Sequence, residues 1–124
     1  PLLQSSAASD VYKRQCIDNL YSKNERLVCH FKEEDDHFSV IFVGAINVSS
    51  IETQWKGEVS PPMPKKLIST KYGNKNIKFN KGDEIGMFKS GSTVILLFTE
   101  NIELSNSLKR NQSIRVGKKI GKIN

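Results

Sequence analysis

Gly91, Ser92 and Thr93 stand in a row directly before the apolar run Val94 to Phe98. A small, flexible residue followed by two hydroxyls has two readings. It is either an ordinary tight turn feeding a buried strand, or a place where the backbone itself is chemically altered. The pattern alone does not separate them. Other chemistry-bearing residues are sparse. Cys16 and Cys29 form no CxxC pair and have no partner histidine at metal-ligand spacing. They read as reduced thiols with no disulfide framework and no metal site. Glu52 and Glu84 are candidates for acid/base work, but solvated strand-edge carboxylates are the better reading.

The elements that must position these residues are strands. The chain has 124 residues, of which 37% are hydrophobic and 26% charged, which suits one globular domain with a modest core and argues against wholesale disorder. No apolar run approaches the roughly 20 residues needed to cross a bilayer as a helix. The net charge of +6 is compatible with an anionic membrane face or nucleic acid as partner, but the basic residues are spread along the chain with short clusters only at Lys65-Lys66 and Lys118-Lys119, so a scattered solvated surface is the better reading. Nucleic acid is disfavoured because the aromatics sit inside apolar runs and are not interleaved with Arg and Lys. Residues 1–15 show neither helical nor strand periodicity. They read as translated adapter sequence, which leaves 16–124 as the domain. Strands are expected at Leu27 to Phe31, Phe38 to Ala45, Val48 to Trp55, Lys56 to Ser60, Leu67 to Thr70, Ile77 to Phe79, Glu84 to Phe88 and Val94 to Phe98. Glu33 to Asp36 makes an acidic turn, and Pro61, Pro62 and Pro64 interrupt pairing. Ile102 to Leu108 is a strand or one helical turn. Ile114 to Val116 and Lys119 to Ile120 are further short pieces beside glycines. Many short strands punctuated by turns predict a mainly β domain, a sandwich or partial barrel of antiparallel strands with little helix.

Four stretches, in order, carry a resemblance. They are NERLVCHF (24–31), VGAINVSSIETQWKGEVSPP (43–62), KGDEIGMFKSGSTVILLF (81–98) and IRVGKKIG (114–121). Together they resemble the C-terminal part of the bacterial phosphatidylserine decarboxylases, pyruvoyl-dependent enzymes of phospholipid synthesis. The third stretch is the most specific, because a Lys-Gly-acid-Glu-x-Gly-x-Phe strand feeding Gly-Ser-Thr is hard to meet by chance. The resemblance implies that a proenzyme cuts itself between Gly91 and Ser92. Ser92 Oγ would attack the Gly91 carbonyl carbon and exchange the amide for an ester. β-Elimination would then release the upstream chain, and hydrolysis of the resulting dehydroalanine would give ammonia and an N-terminal pyruvoyl group. Glycine leaves the attacked carbonyl open to close approach. The pyruvoyl cofactor derived from Ser92 would take up the amine of phosphatidylserine as a Schiff base and lead to phosphatidylethanolamine. Thr93 would orient the reacting group, and Gly44 and Ala45 would form a close-packed strand end beside it. Trp55 and the Pro61-Pro62 loop would brace the sheet. The implied partners are phosphatidylserine and an anionic membrane surface, with the two cleaved chains staying associated in a homo-oligomer. The implied place is the cytoplasmic face of the bacterial membrane, held peripherally.

The chain departs from the family pattern at three points. Ser90 stands where an apolar residue usually precedes Gly-Ser-Thr, and Ser49 stands where a Gly is usual. The Asp and His that activate the serine in this family belong to an N-terminal region whose Tyr-His-Arg type stretch has no counterpart here. His30 ends a strand and His37 follows four acids, so both read as surface or edge histidines. This chain alone is therefore expected to stay uncut. An alternative reading is a small lipoyl-like carrier module, with Lys89 as the modifiable lysine. Lys89 lacks the flank that such a domain needs.

Overall fold

A computed structural model of the chain describes residues 25–44, 51–59, 67–73, 75–89, 93–99 and 101–124. Eight strands make up the regular structure: β1 (Arg26–Glu33), β2 (Asp36–Val43), β3 (Ile51–Thr53), β4 (Gly57–Glu58), β5 (Gly86–Phe88), β6 (Thr93–Phe98), β7 (Ile102–Leu104) and β8 (Gly121–Ile123). Among the described residues there is no helix. The mainly β expectation holds. The strands form three sheets, in the orders β1-β2-β6, β4-β3-β5 and β7-β8. The chain divides into two compact units, Pro1–Val28 with Ile41–Ile95, and Cys29–Val40 with Leu96–Asn124.

In the first unit, β3 is the central strand of a small antiparallel sheet. Its alternation puts Ile51 and Thr53 inward, 1% and 2% exposed, with Glu52 on the other face. The register pairs Ile51 with Phe88 and Thr53 with Gly86 on β5, and Thr53 with Gly57 on β4. Phe42 and Val43 are buried in the same unit, and the Phe42 ring meets Phe88 at 5.4 Å between centroids. Burial of such side chains contributes about 1.5–3 kcal/mol each, which is what holds so short a sheet together. Trp55, in the turn between β3 and β4, packs edge-on against Phe79 at 5.6 Å and Tyr72 at 6.4 Å. The bracing expected of Trp55 is present, but it acts on the 72–79 segment. Pro61 and Pro62 lie outside the described residues.

In the second unit, the outer ends of β1 and β2 form a hairpin closed by Glu34 and Asp35. Phe31, Phe38 and Phe98 stack in series at 5.1 and 6.1 Å, beside the buried Cys29 and Val40. Thr99 clips the strand end: its Oγ1 donates to the His37 carbonyl at 2.8 Å and accepts from the His37 N–H at 3.2 Å. A separate ribbon pairs Ile102 with Ile123, Glu103 with Lys122 and Leu104 with Gly121.

Several expected strands are absent. Leu67 to Thr70 is irregular, with Leu67 99% and Ile68 65% exposed, and none of the described strands pairs with it. Ile77 to Phe79 makes no ladder, although Phe79 is used against Trp55. Ile114 to Val116 runs into a turn, and the strand expected at Lys119 to Ile120 begins instead at Gly121. Ile102 to Leu108 resolves into a short strand followed by a turn. The strand expected from Lys56 is the two-residue β4, and Glu84 precedes β5. His30 does not end its strand, since β1 continues to Glu33. The segment 1–15, Cys16 and the 45–50 part of the expected strands lie outside the described residues.

Candidate active site

Ser90, Gly91 and Ser92 fall outside the described residues, as does Ala45. What the structure describes is how the two ends of that tripeptide are held. On one side β5 ends at Phe88, paired with Ile51 and packed on Phe42, and Lys89 follows. On the other side β6 begins at Thr93, which is half-buried. The two strands belong to different sheets. Gly44 closes the neighbouring strand β2: it is buried and donates its N–H to the Glu25 carbonyl at 2.9 Å. β2 and β6 are adjacent, and the end of β2 lies at the start of β6.

Gly86 is the residue whose importance sequence reasoning missed. A Cβ built on it would sit 2.7 Å from the Glu52 carbonyl oxygen and 3.2 Å from Cζ of Phe42. Its backbone has no unusual φ, so the requirement is for space alone. The signal was present as the second glycine of the Lys-Gly-acid-Glu-x-Gly-x-Phe pattern. The reason for it appears only once β3 lies alongside.

Lys89 Nζ donates to Glu58 Oε2 at 2.9 Å, with both side chains about half exposed. The hydrogen bond Lys89 donates to Glu58, then the Glu58 charge, hold the Lys89 pKa above the usual lysine value and keep it cationic. A lysine tied to β4 at the end of β5 is not the free hairpin-tip lysine of a carrier. Glu84 Oε1 accepts from Gln54 Nε2 at 2.6 Å and is exposed, and Glu52 is half-buried on β3. Neither is placed as an acid or base. His30 Nδ1 lies 2.7 Å from Ser39 Oγ at an exposed position. His30 and His37 both belong to the unit that does not contain Lys89 and Thr93. Burial pushes the Cys29 thiol up to about 11, so it is inert at neutral pH. No group of three or more metal-ligating side chains occurs among the described residues.

A pyruvoyl group requires a serine as its precursor at the start of a chain that stays anchored after cleavage. Ser92 directly precedes β6, and β6 is held in the β1-β2-β6 sheet, so the residues present fit the group.

Comparison with known proteins gives the same direction throughout. A profile of the phosphatidylserine decarboxylase family matches residues 4–122. The phosphatidylserine decarboxylase proenzyme of Francisella philomiragia subsp. philomiragia is 50% identical over 101 residues, 80% of this chain and 35% of that protein. The proenzyme of Methylococcus capsulatus is 50% identical over 82 residues, covering 66% of this chain and 28% of that protein. That of Francisella tularensis subsp. novicida is 46% identical over 99 residues, 78% and 35% of the two chains. No solved structure matches the chain. The chain spans about a third of the length of the relatives it matches. With a match over nearly its whole length, it belongs to the phosphatidylserine decarboxylase family.

Proposed function

We propose that this chain is the part of a phosphatidylserine decarboxylase proenzyme that carries its self-cleavage site, and that the parent protein converts phosphatidylserine to phosphatidylethanolamine in phospholipid biosynthesis. The observation that carries the reading is the family match running through 81–98, where β5 and β6 anchor the two sides of Gly91-Ser92. Ser92 is the nucleophile toward the Gly91 carbonyl and the precursor of the cofactor. Cleavage divides the chain into 1–91 and 92–124, and 16–124 is the C-terminal part of the family's domain. The pieces stay associated, because β6, in the new chain, is paired with β2, in the other.

Bound in place, a pyruvoyl group supplies the carbonyl electron sink that loss of CO2 from an amino-acid headgroup needs. The chain's own residues keep its site rigid. Phe42 and Phe88 fix the end of β5, Gly86 lets β5 lie close to β3, and Thr93 starts β6 with a hydroxyl next to the reacting position. Lys89, held cationic by Glu58, places a positive charge three residues before Ser92, suited to an anionic headgroup. The general base for activating Ser92 comes from elsewhere in the parent protein, so this chain alone stays uncut and inactive. The parent acts on the cytoplasmic face of the membrane, peripherally and as a homo-oligomer. No helix among the described residues is long and apolar enough to span a bilayer.

The test is decarboxylation by the full-length parent, read as phosphatidylethanolamine formed from phosphatidylserine vesicles. Ser92→Ala is expected to abolish it and to leave an uncut precursor. Full activity in Ser92→Ala would overturn the proposal.

A further inference from the structure

His30 and His37 are the chain's two histidines, and both line one open cleft of about 270 Å³. Ser39, Leu97 and Thr99 line it with them, and all five residues belong to the second unit. The hairpin accounts for the convergence. β1 and β2 are neighbours in their sheet, Phe31 stacks on Phe38 at 5.1 Å, and the His30 ring bonds Ser39. Residue 31 therefore stands opposite 38, and 30 opposite 39. Side chains alternate along a strand, so His37 shares the face of Ser39 and His30. The two histidines are diagonal neighbours across the hairpin, about 7 Å apart at their Cβ atoms. By the same alternation the buried Cys29 thiol lies on the opposite face.

Their surroundings suit them as ligands. His30 Nδ1 lies 2.7 Å from Ser39 Oγ. A proton held on Nδ1 and donated to Ser39 leaves Nε2 bare, which is the tautomer that ligates a metal, and such an outer partner fixes the direction of the ring. His37 is held through its backbone, since Thr99 Oγ1 accepts its N–H and donates to its carbonyl. The His37 ring has no hydrogen-bond partner among the described residues. Charge favours a cation here. Residues 29–40 carry the four acids Glu33, Glu34, Asp35 and Asp36 against Lys32 alone, in a chain that is otherwise basic. All four but Asp36 are exposed at the hairpin tip, where they raise the local concentration of cations. Two imidazoles without a thiolate suit Zn2+, Cu2+ or Ni2+, whereas Mg2+ and Ca2+ take oxygen ligands.

We infer that His30 and His37 form a two-histidine site for a divalent late transition-metal ion, with Ser39 orienting His30 and water completing the coordination. The bound ion ties β1 to β2. The site stands apart from the decarboxylase reading, because neither histidine belongs to the unit that contains Ser92. The experiment is calorimetric titration of the 124-residue chain with NiCl2, in a Cys16→Ser background so that this thiol does not compete. One ion per chain is expected. His30→Gln and His37→Gln should each weaken binding about a hundredfold, since either one removes the chelate. Ser39→Ala should weaken it about tenfold, as the loss of an outer partner does. In a parallel titration with ZnCl2, the ring nitrogen resonances of both histidines should shift together. That readout needs no substitution, so it decides the matter if a Gln variant loses its far-UV circular dichroism. Absence of binding, unchanged affinity in either histidine variant, a shift of one ring alone, equally tight binding by the urea-unfolded chain, or equally tight binding of Mg2+ would overturn the inference. Unchanged affinity in Ser39→Ala would overturn the role given to Ser39.

Discussion

Replacing Gly86 with Ala probes the framework around the scissile segment without touching any reacting atom. The added methyl would land 2.7 Å from the Glu52 carbonyl oxygen and 3.2–3.3 Å from two ring carbons of Phe42. The ring can give by a few tenths of an ångström. The carbonyl cannot, because Glu52 and Thr53 are laddered to Met87 and Gly86 in the same pair of strands. Overpacking of a filled site costs about 1–3 kcal/mol, and a rigid backbone partner puts this case near 3. Against a typical total of about 5–15 kcal/mol, that is a large loss. The strain is relieved by β5 moving off β3, which carries Phe88 and Lys89 with it and displaces the segment before Ser92. A shift of about 1 Å in an intramolecular reaction costs about a hundredfold in rate. The assay is run on the full-length parent: urea unfolding for stability, and gel-resolved loss of precursor with time for processing. Met87→Ala on the same strand is the control, since Met87 is 47% exposed and should change both by little. A Gly86→Ala protein with wild-type stability and wild-type processing would refute the crowding argument.

Two further predictions concern other parts of the fold. Cys29 has its thiol raised from an ordinary 9.0 to about 11 by burial, so the folded state favours the protonated form. Its contribution to stability is complete below pH 9.0 and is lost as pH rises toward about 11. Alkylation mapped by peptide mass should therefore spare Cys29 in the native chain below pH 9.0 and modify it once urea is added; rapid native modification would contradict its burial. Glu34 holds a left-handed φ of 53° in the two-residue turn between β1 and β2. Glu34→Gly relieves about 1–2 kcal/mol of backbone strain against about 0.5–1 of added chain entropy, so a melt should show a net gain of about 0.5–1 kcal/mol. A loss of stability would mean that the turn is not strained.

The strongly patterned elements were legible in the sequence. Val94 to Phe98 and the 38–43 run are apolar and β-branched enough to be strands in any context, and both are. The acidic stretch Glu33 to Asp36 marked the turn between β1 and β2, which the structure narrows to Glu34 and Asp35. Leu67 to Thr70 is apolar at Leu67 and Ile68 but has no partner strand among the described residues, and partnership is a property of the whole chain. The second glycine of the 81–88 stretch was read as part of a family pattern. That Gly86 exists to let a carbonyl pass could be learned only from the β3–β5 register. The ion pair between Lys89 and Glu58 joins residues thirty-one apart, so no local pattern announces it.

The central claim is that Gly91-Ser92 is a scissile bond which this chain carries and cannot cut alone. Intact mass of the full-length parent and of the 124-residue chain tests it most directly. The account predicts a parent divided between Gly91 and Ser92, its smaller piece bearing a ketone in place of the N-terminal amine, and a 124-residue chain of one unbroken mass. A parent that stays whole with Ser92 unmodified would contradict the claim, as would efficient cleavage of the chain by itself.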